Sequence, residues 1–143
     1  NSMIHINRIP NIRIYDYDEV WWFVRSPDSL PQEEKLVQSL APSRELFLKY
    51  REAFHAGQFG PEFFQNVYVS QFIAELSKNE DAKENLDYLR RKGSRREIVL
   101  GCYCEEEALC HRSIIAGILL GMGAEIDTST EYKKYYEMFR HYI

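Results

Sequence analysis

The residue types best suited to chemistry are concentrated between positions 102 and 112. All three cysteines of the chain, Cys102, Cys104 and Cys110, lie in this segment and are followed by His111 and Arg112. Thiolates act as nucleophiles and metal ligands, imidazoles transfer protons or bind metals, and guanidinium groups bind anions. We therefore take this segment as the candidate site.

The sequence leaves three interpretations of the cysteines open. Cys102 ends an apolar run and is compatible with an ordinary buried core residue. Alternatively, Cys102, Cys104 and Cys110 bind zinc together with His111, since side chains at i and i+2 of an extended segment point the same way. The paired C-x-x-C spacing that is usual for zinc is missing. In the third interpretation Cys110, at a helix start, is a reactive thiolate.

In the third interpretation, Cys110 and His111 form a catalytic pair. The unperturbed histidine pKa of about 6.5 suits proton transfer near neutral pH. The alternative is that His111 is a helix-start residue bonded to the backbone. We expect no cofactor, although a zinc ion is possible.

Two arginines follow segments that could meet at one edge of a sheet. Arg25 and Ser26 follow a predicted strand at 20–24, and Arg112 lies in the helix after a predicted strand at 97–102. If these strands are parallel, their carboxyl ends share the edge where ligands usually bind in such sheets.

An anion is the ligand that this edge best suits. A helix N-terminus offers free amides, and a guanidinium can donate a forked pair of hydrogen bonds to a phosphate or carboxylate. The ligand would contact Arg25, Ser26, Cys102 and Arg112. The alternative is that both arginines form ion pairs with neighbouring aspartates or glutamates, because such networks resemble sites.

Length and composition are typical of a globular protein, with 45% hydrophobic and 28% charged residues in 143. We expect Asn1 and Ser2 to be a cloning remnant and residues 3–143 to form one domain. No apolar run approaches the roughly 20 residues of a membrane-spanning helix. Crowded cysteines without a disulfide-like spread favour a cytoplasmic location.

The net charge and the aromatic residues indicate which binding partners to expect. The formal net charge of −4 does not favour nucleic acid, which usually binds basic surfaces, although a basic stretch at 90–96 keeps it as an alternative. The last predicted helix carries several tyrosines, and this face suits core packing or a homodimer. A small anionic ligand is the partner that we expect.

Strand-like and helical segments alternate along the chain. Strands separated by helices predict parallel pairing through crossovers. We expect an α/β fold, a three-layer sandwich with a mostly parallel sheet of about four strands and helices on both faces. The predicted strands are 12–15, 20–24, 97–102 and 124–126, and the predicted helices begin at Ser43, after Gly60-Pro61, at Glu80, at Cys110, and at Thr128 or Ser129.

Three motifs carry a resemblance to a known family. They are the strand ending in arginine at 20–26, the A-P-S helix start at 40–46, and the strand-loop-helix at 98–112 that closes with C-H-R. Together they resemble the domain-of-unknown-function family numbered four-eight-eight, the YeaO-type uncharacterised bacterial proteins. The resemblance implies an α/β sandwich and a site at Cys102, Cys110, His111 and Arg112, with Arg25 beside it.

These observations favour a small protein that binds an anionic ligand, such as a nucleotide or a nucleic-acid end, at a strand-helix junction. In this hypothesis the Cys110–His111 pair carries any catalysis, and whether the protein is an enzyme stays open. The alternative is an interaction module without catalysis, either stabilised by zinc or built on the aromatic last helix.

Overall fold

Three parallel strands form the sheet of this protein. A computed structural model describes residues 2–26, 30–32, 35–128 and 130–142. The strands are β1 (Ile4–Arg8), β2 (Glu19–Trp22) and β3 (Ile98–Cys102), in the order β1-β3-β2. Both outer strands run parallel to β3, so the carboxyl ends of all three strands lie at one edge.

The central strand β3 is buried at every residue. Because successive side chains of a strand point to opposite faces, Ile98 and Leu100 join a larger apolar cluster, whereas Val99 joins a smaller one. A continuous apolar segment is the pattern expected of a strand that is covered on both faces. The prediction of strands in the regions 20–24 and 97–102, and of their parallel direction, is confirmed.

The first strand lies earlier in the chain than we predicted. The segment 12–15 is not a strand, and its second half belongs to the 3-10 turn Ile14–Asp16. Ile12 and Ile14 alternate with polar residues because both pack against the smaller apolar cluster from outside the sheet. The edge position beside β3 belongs instead to β1, whose Ile4 and Ile6 contact the larger cluster.

The fourth predicted strand, 124–126, is reduced to a single parallel bridge between Ile126 and Ile4. The Ile4 amide donates a hydrogen bond to the Glu125 carbonyl, and the Asp127 amide donates one to the Ile4 carbonyl, both at 2.9 Å. Among the described residues the sheet therefore has three strands, and the predicted count of about four is not confirmed.

The predicted helix starts are mostly confirmed. Helix α1 (Arg44–His55) begins after Ser43, whose hydroxyl oxygen accepts a hydrogen bond from the Leu46 amide at 3.1 Å. None of the helices in the described ranges is long and apolar enough to cross a membrane. The other helices are α2 (Pro61–Phe63), a π-helical turn (Phe64–Tyr68) that continues into α3 (Val69–Lys78), then α4 (Glu80–Lys92), α5 (His111–Gly121) and α6 (Lys134–Tyr142).

The last helix begins later than we predicted. Ser129 lies outside the described residues. The Thr128 hydroxyl is buried and has no hydrogen-bond partner in the described part of the chain, so it does not cap a helix. A 3-10 turn (Thr130–Lys133) precedes α6.

The helices pack against one face of the sheet. Helices α1 and α3 to α6 all contribute side chains to the larger apolar cluster, together with Ile98 and Leu100. The smaller cluster on the other face is formed by strand residues and by side chains of irregular segments, and it includes no residue of a described α-helix. The fold is thus mixed α/β, and a three-layer sandwich is not confirmed.

Candidate functional site

The cysteines, His111 and Arg112 all lie at the carboxyl edge of the sheet. Cys102 is the last residue of β3, and Cys104 follows it in the loop. After the 3-10 turn Glu107–Leu109, Cys110 takes the position before α5, which begins at His111. The chain therefore returns to the end of β3 within eight residues, because the turn reverses its direction.

Four potential metal-binding side chains meet here. The sulfur atoms of Cys102, Cys104 and Cys110 and a ring nitrogen of His111 all lie within 4.8 Å of one another. The Sγ atoms of Cys102 and Cys110 are 2.9 Å apart, and the thiols are free rather than joined in a disulfide. Cys102, Cys110 and His111 are buried, and Cys104 is half-buried.

A backbone carbonyl determines which ring nitrogen of His111 carries the proton. Its Nε2 lies 2.6 Å from the Phe23 carbonyl oxygen, one residue beyond the end of β2. Because a carbonyl can only accept, Nε2 donates, and in the neutral ring Nδ1 keeps its lone pair. Nδ1 faces the Cys110 Sγ at 3.7 Å, while the Phe72 ring packs edge-on against the imidazole.

The Arg112 guanidinium is buried beside the thiols, with only 3% of the residue exposed. One of its terminal nitrogens, Nη1, donates to the Cys102 Sγ at 3.1 Å and to the Cys104 carbonyl at 2.8 Å. The Nε atom is buried without a hydrogen-bond partner among the described residues. The charge of Arg112 therefore acts directly on the cysteines rather than on a carboxylate.

The pKa values of the three thiols are shifted in different directions within the cluster. Burial raises the pKa of Cys102, but hydrogen bonds from Cys104 and Cys110 and the charges of His111 and Arg112 outweigh it, so this pKa falls well below its ordinary value. Donation to Cys102 raises the pKa of Cys104 to about 12. Burial, followed by donation to Cys102, raises the pKa of Cys110 well above its ordinary value. The cluster thus favours the deprotonated form of Cys102 over those of Cys104 and Cys110.

The arginine and serine that follow β2 are placed differently from Arg112. Arg25 and Ser26 lie just past the shared sheet edge, and both are exposed. The Arg25 Nη1 donates to the Pro42 carbonyl at 3.3 Å, close to the start of α1. The structure therefore brings Cys102, Cys104, Cys110, His111 and Arg112 together, and it places Arg25 and Ser26 at the surface.

Two tyrosines near the thiols were not identified from the sequence. Tyr68 closes the π-helical turn, and burial, followed by the negative charge of the cysteines, raises its pKa well above the ordinary value. Tyr50 on α1 has its pKa raised by burial and then by Cys104 and Cys110. Both tyrosines follow the apolar pattern of their helices, so only the spatial proximity to the thiols distinguishes them. Single π-turns often occur at functional sites.

Comparison with known proteins identifies a family. Neither curated proteins nor solved structures give a match. The family model DUF488-N3a, described as the active DUF488-N3 subclade, matches residues 4–123. This range runs from the start of β1 through the end of α5 and includes the whole cysteine cluster. The chain therefore belongs to the DUF488 family, the family that its three sequence motifs resemble.

Proposed function

We propose that Cys102, Cys104, Cys110 and His111 bind one zinc ion, which joins the end of β3 to the start of α5. The observation that carries the proposal is the meeting of four donor atoms within 4.8 Å of one another. Three thiolates and one imidazole are a common ligand set for structural zinc.

The distances between donors come within about 1 Å of those that a tetrahedral metal requires. Zinc–sulfur bonds of about 2.3 Å and zinc–nitrogen bonds of about 2.0 Å imply donor separations of about 3.5–3.8 Å. The Cys110 Sγ and His111 Nδ1 are already 3.7 Å apart, whereas the Sγ atoms of Cys102 and Cys110 would have to separate from 2.9 Å by about 0.9 Å. The Phe23 carbonyl supports the proposal, because metal-binding histidines usually donate their other ring N–H to such a partner.

Charge balance also supports a metal. Zinc with three thiolates and a neutral imidazole carries a net charge of −1, which the buried Arg112 guanidinium would neutralise. Its hydrogen bond to the Cys102 Sγ is the outer contact that a metal-bound thiolate accepts. Binding would release the protons of Cys104 and Cys110, so zinc affinity should decrease as the pH falls.

The proposed centre is structural rather than catalytic. The protein itself supplies all four ligands, so no position stays open for a water or a substrate. Three of the four ligands are buried, which also limits access. The zinc would hold the loop that carries Cys104, in which three glutamates at 105–107 follow the cysteine, against the sheet edge.

Metal analysis of the purified protein tests this proposal. We expect about one zinc per chain when the protein is purified under reducing conditions, because the neighbouring thiols would otherwise oxidise. His111→Ala and Cys104→Ser should lose most of this zinc. His55→Ala is the matched control, since His55 is exposed on α1, and should retain the metal. Protein that has three titratable thiols and takes up no added zinc would contradict the proposal.

A second candidate is the binding of an anion at the same sheet edge. The observation that favours it is the buried Arg112 Nε, which lacks a partner in the described part of the chain. In this alternative Arg112 and Arg25 bind a phosphate- or carboxylate-bearing ligand, with Ser26 and Cys102 beside it. Cys110 and His111 would then carry any chemistry, next to the Cys102 sulfur that Arg112 contacts.

Inorganic phosphate separates this candidate from the metal proposal. If Arg112 binds anions, millimolar phosphate should raise the melting temperature of the wild type and of a chelator-treated sample, but not that of Arg112→Lys. The lysine keeps the charge and loses the fork of donors. A titration by calorimetry would confirm direct binding. An equal response of wild type and Arg112→Lys would rule out the arginine as the anion ligand.

A further inference from the structure

Helix α1 carries three aromatic rings in a row, of which Phe47 and Phe54 are exposed and Tyr50 is half-buried. With 3.6 residues per turn, Phe47, Tyr50 and Phe54 fall within a sector of about 60° around the helix axis. Their ring centroids are 6.1 and 6.0 Å apart. Phe47 is 40% exposed and Phe54 is 59% exposed. We call these three residues the aromatic stripe.

A row of cationic or titratable side chains lies beside the aromatic stripe. Arg44, Arg51 and His55, the basic stripe, are centred about 90° further around the same helix. All three are exposed, and among the described residues neither arginine forms an ion pair or a side-chain hydrogen bond. The acidic residues Glu45 and Glu52 lie opposite the aromatic stripe, about 90° beyond the basic stripe, and in the described part of the chain neither forms an ion pair with Arg44 or Arg51.

This surface adjoins the cysteine cluster. Tyr50 lies near Cys104 and Cys110: burial raises its pKa, and negative charge on these two sulfurs would raise it further. Arg25 extends the basic stripe beyond the start of the helix, because its guanidinium contacts the Pro42 carbonyl just before α1. Rings and cations thus run side by side from the sheet edge along the length of α1.

We propose that the aromatic and basic stripes of α1 bind single-stranded nucleic acid. Successive bases would stack on the exposed rings while the phosphates lie along Arg44 and Arg51, which is how proteins bind single strands without reading their sequence. The aromatic stripe is about 10 Å long at 1.5 Å per residue, so it accommodates about three bases at 3.4 Å spacing. The unpaired arginines favour nucleic acid over a protein partner, because a protein could cover the apolar rings without any need for cations beside them.

Two features predict how the binding should behave. The short contact and the overall charge of −4 predict weak, micromolar binding rather than tight binding. Double-stranded probes should bind less well, because their bases are stacked on each other and cannot reach the rings. Each phosphate neutralised should contribute a slope of about −0.7 to the dependence of log affinity on log salt concentration.

Fluorescence anisotropy with a short labelled oligothymidylate tests the proposal on the full chain as purified. We expect Phe54→Ala to weaken binding about tenfold, since stacking on one ring has this order of effect. Arg44→Ala combined with Arg51→Ala should reduce the salt slope by about 1.4. Tyr15→Ala is the matched control, because Tyr15 is 94% exposed and its neighbours Ile14 and Tyr17 pack against the smaller apolar cluster, on the other face of the sheet.

Other outcomes overturn the proposal. Unchanged oligonucleotide affinity in Phe54→Ala would show that the rings do not stack on bases. If Phe54→Ala instead abolishes a dimer seen by analytical ultracentrifugation, the stripe is an interface between two copies of the chain. Binding to anionic phosphatidylserine vesicles in place of the oligonucleotide would assign the surface to a membrane. The metal proposal is independent, since zinc content should be the same in all of these variants.

Discussion

Removal of the proposed zinc ion by a chelator is expected to lower the melting temperature of the protein by roughly 10 °C. A ligand present at a thousand times its dissociation constant stabilises the folded state by about 4 kcal/mol. In domains near this size each kcal/mol corresponds to about 2–4 °C. The loss should be large because three of the proposed ligands, Cys102, Cys110 and His111, are part of the buried core. Thermal unfolding followed by circular dichroism, with and without chelator, measures it.

The matched variants make this measurement specific. Cys104→Ser should melt close to the chelated wild type and should gain little when zinc is added, whereas His55→Ala should behave like the wild type. Adding zinc back to the chelated wild type should restore the original melting temperature. A chelated sample that has lost its zinc yet melts unchanged would show that the ion does not support the fold.

The substitution Gly117→Ala is expected to destabilise the protein by about 3 kcal/mol or more, the upper range for an overpacked core. A Cβ at this position of α5 would overlap the carbonyl oxygen of Tyr132 and lie 2.8 Å from its carbonyl carbon. It would also lie 2.9 Å from the Tyr135 ring. The steric effect should exceed the roughly 1 kcal/mol that alanine gains over glycine in a helix, because the obstacle is largely backbone.

A urea titration measures this change. Gly60→Ala is the control, since no atom lies within 4 Å of a Cβ built at Gly60 and its backbone is extended. The control should remain within about 1 kcal/mol of the wild type, in line with the usual effect of surface substitutions. If Gly117→Ala matches the control, α5 and the segment before α6 are not packed as closely as the structure shows.

Patterns local in the chain were enough to predict much of the fold. The apolar run 97–102 predicted a buried strand, and the short run 20–24 predicted a parallel neighbour, because both are too apolar for a surface. Ser43 predicted the start of α1, since its hydroxyl satisfies an amide of the first turn. The same kind of local signal failed at 12–15, because alternation reports which side chains are buried and not whether the backbone is paired.

The sequence alone was also enough to identify the residues of the candidate site. The spacing of Cys102, Cys104 and Cys110, followed by His111 and Arg112, reduced the search to eleven positions, and the family match includes them all. Two thiols at i and i+2 and a third at a helix start were expected at one sheet edge because a short loop joins them. Whether they form core, metal site or nucleophile was not determined by spacing.

Only the tertiary structure decided how these residues are arranged. His111 is oriented by the Phe23 carbonyl, 88 residues away in the chain, and no local pattern encodes such a contact. Arg112 became a buried partner of Cys102, whereas Arg25 stayed exposed beside Pro42, although both follow strands with the same direction. The physical reason is that apolar patterns and helix caps depend on residues close together in the chain, so they can be recognised in the sequence. The direction of a side chain at a sheet edge depends on which distant backbone and charges are packed against it.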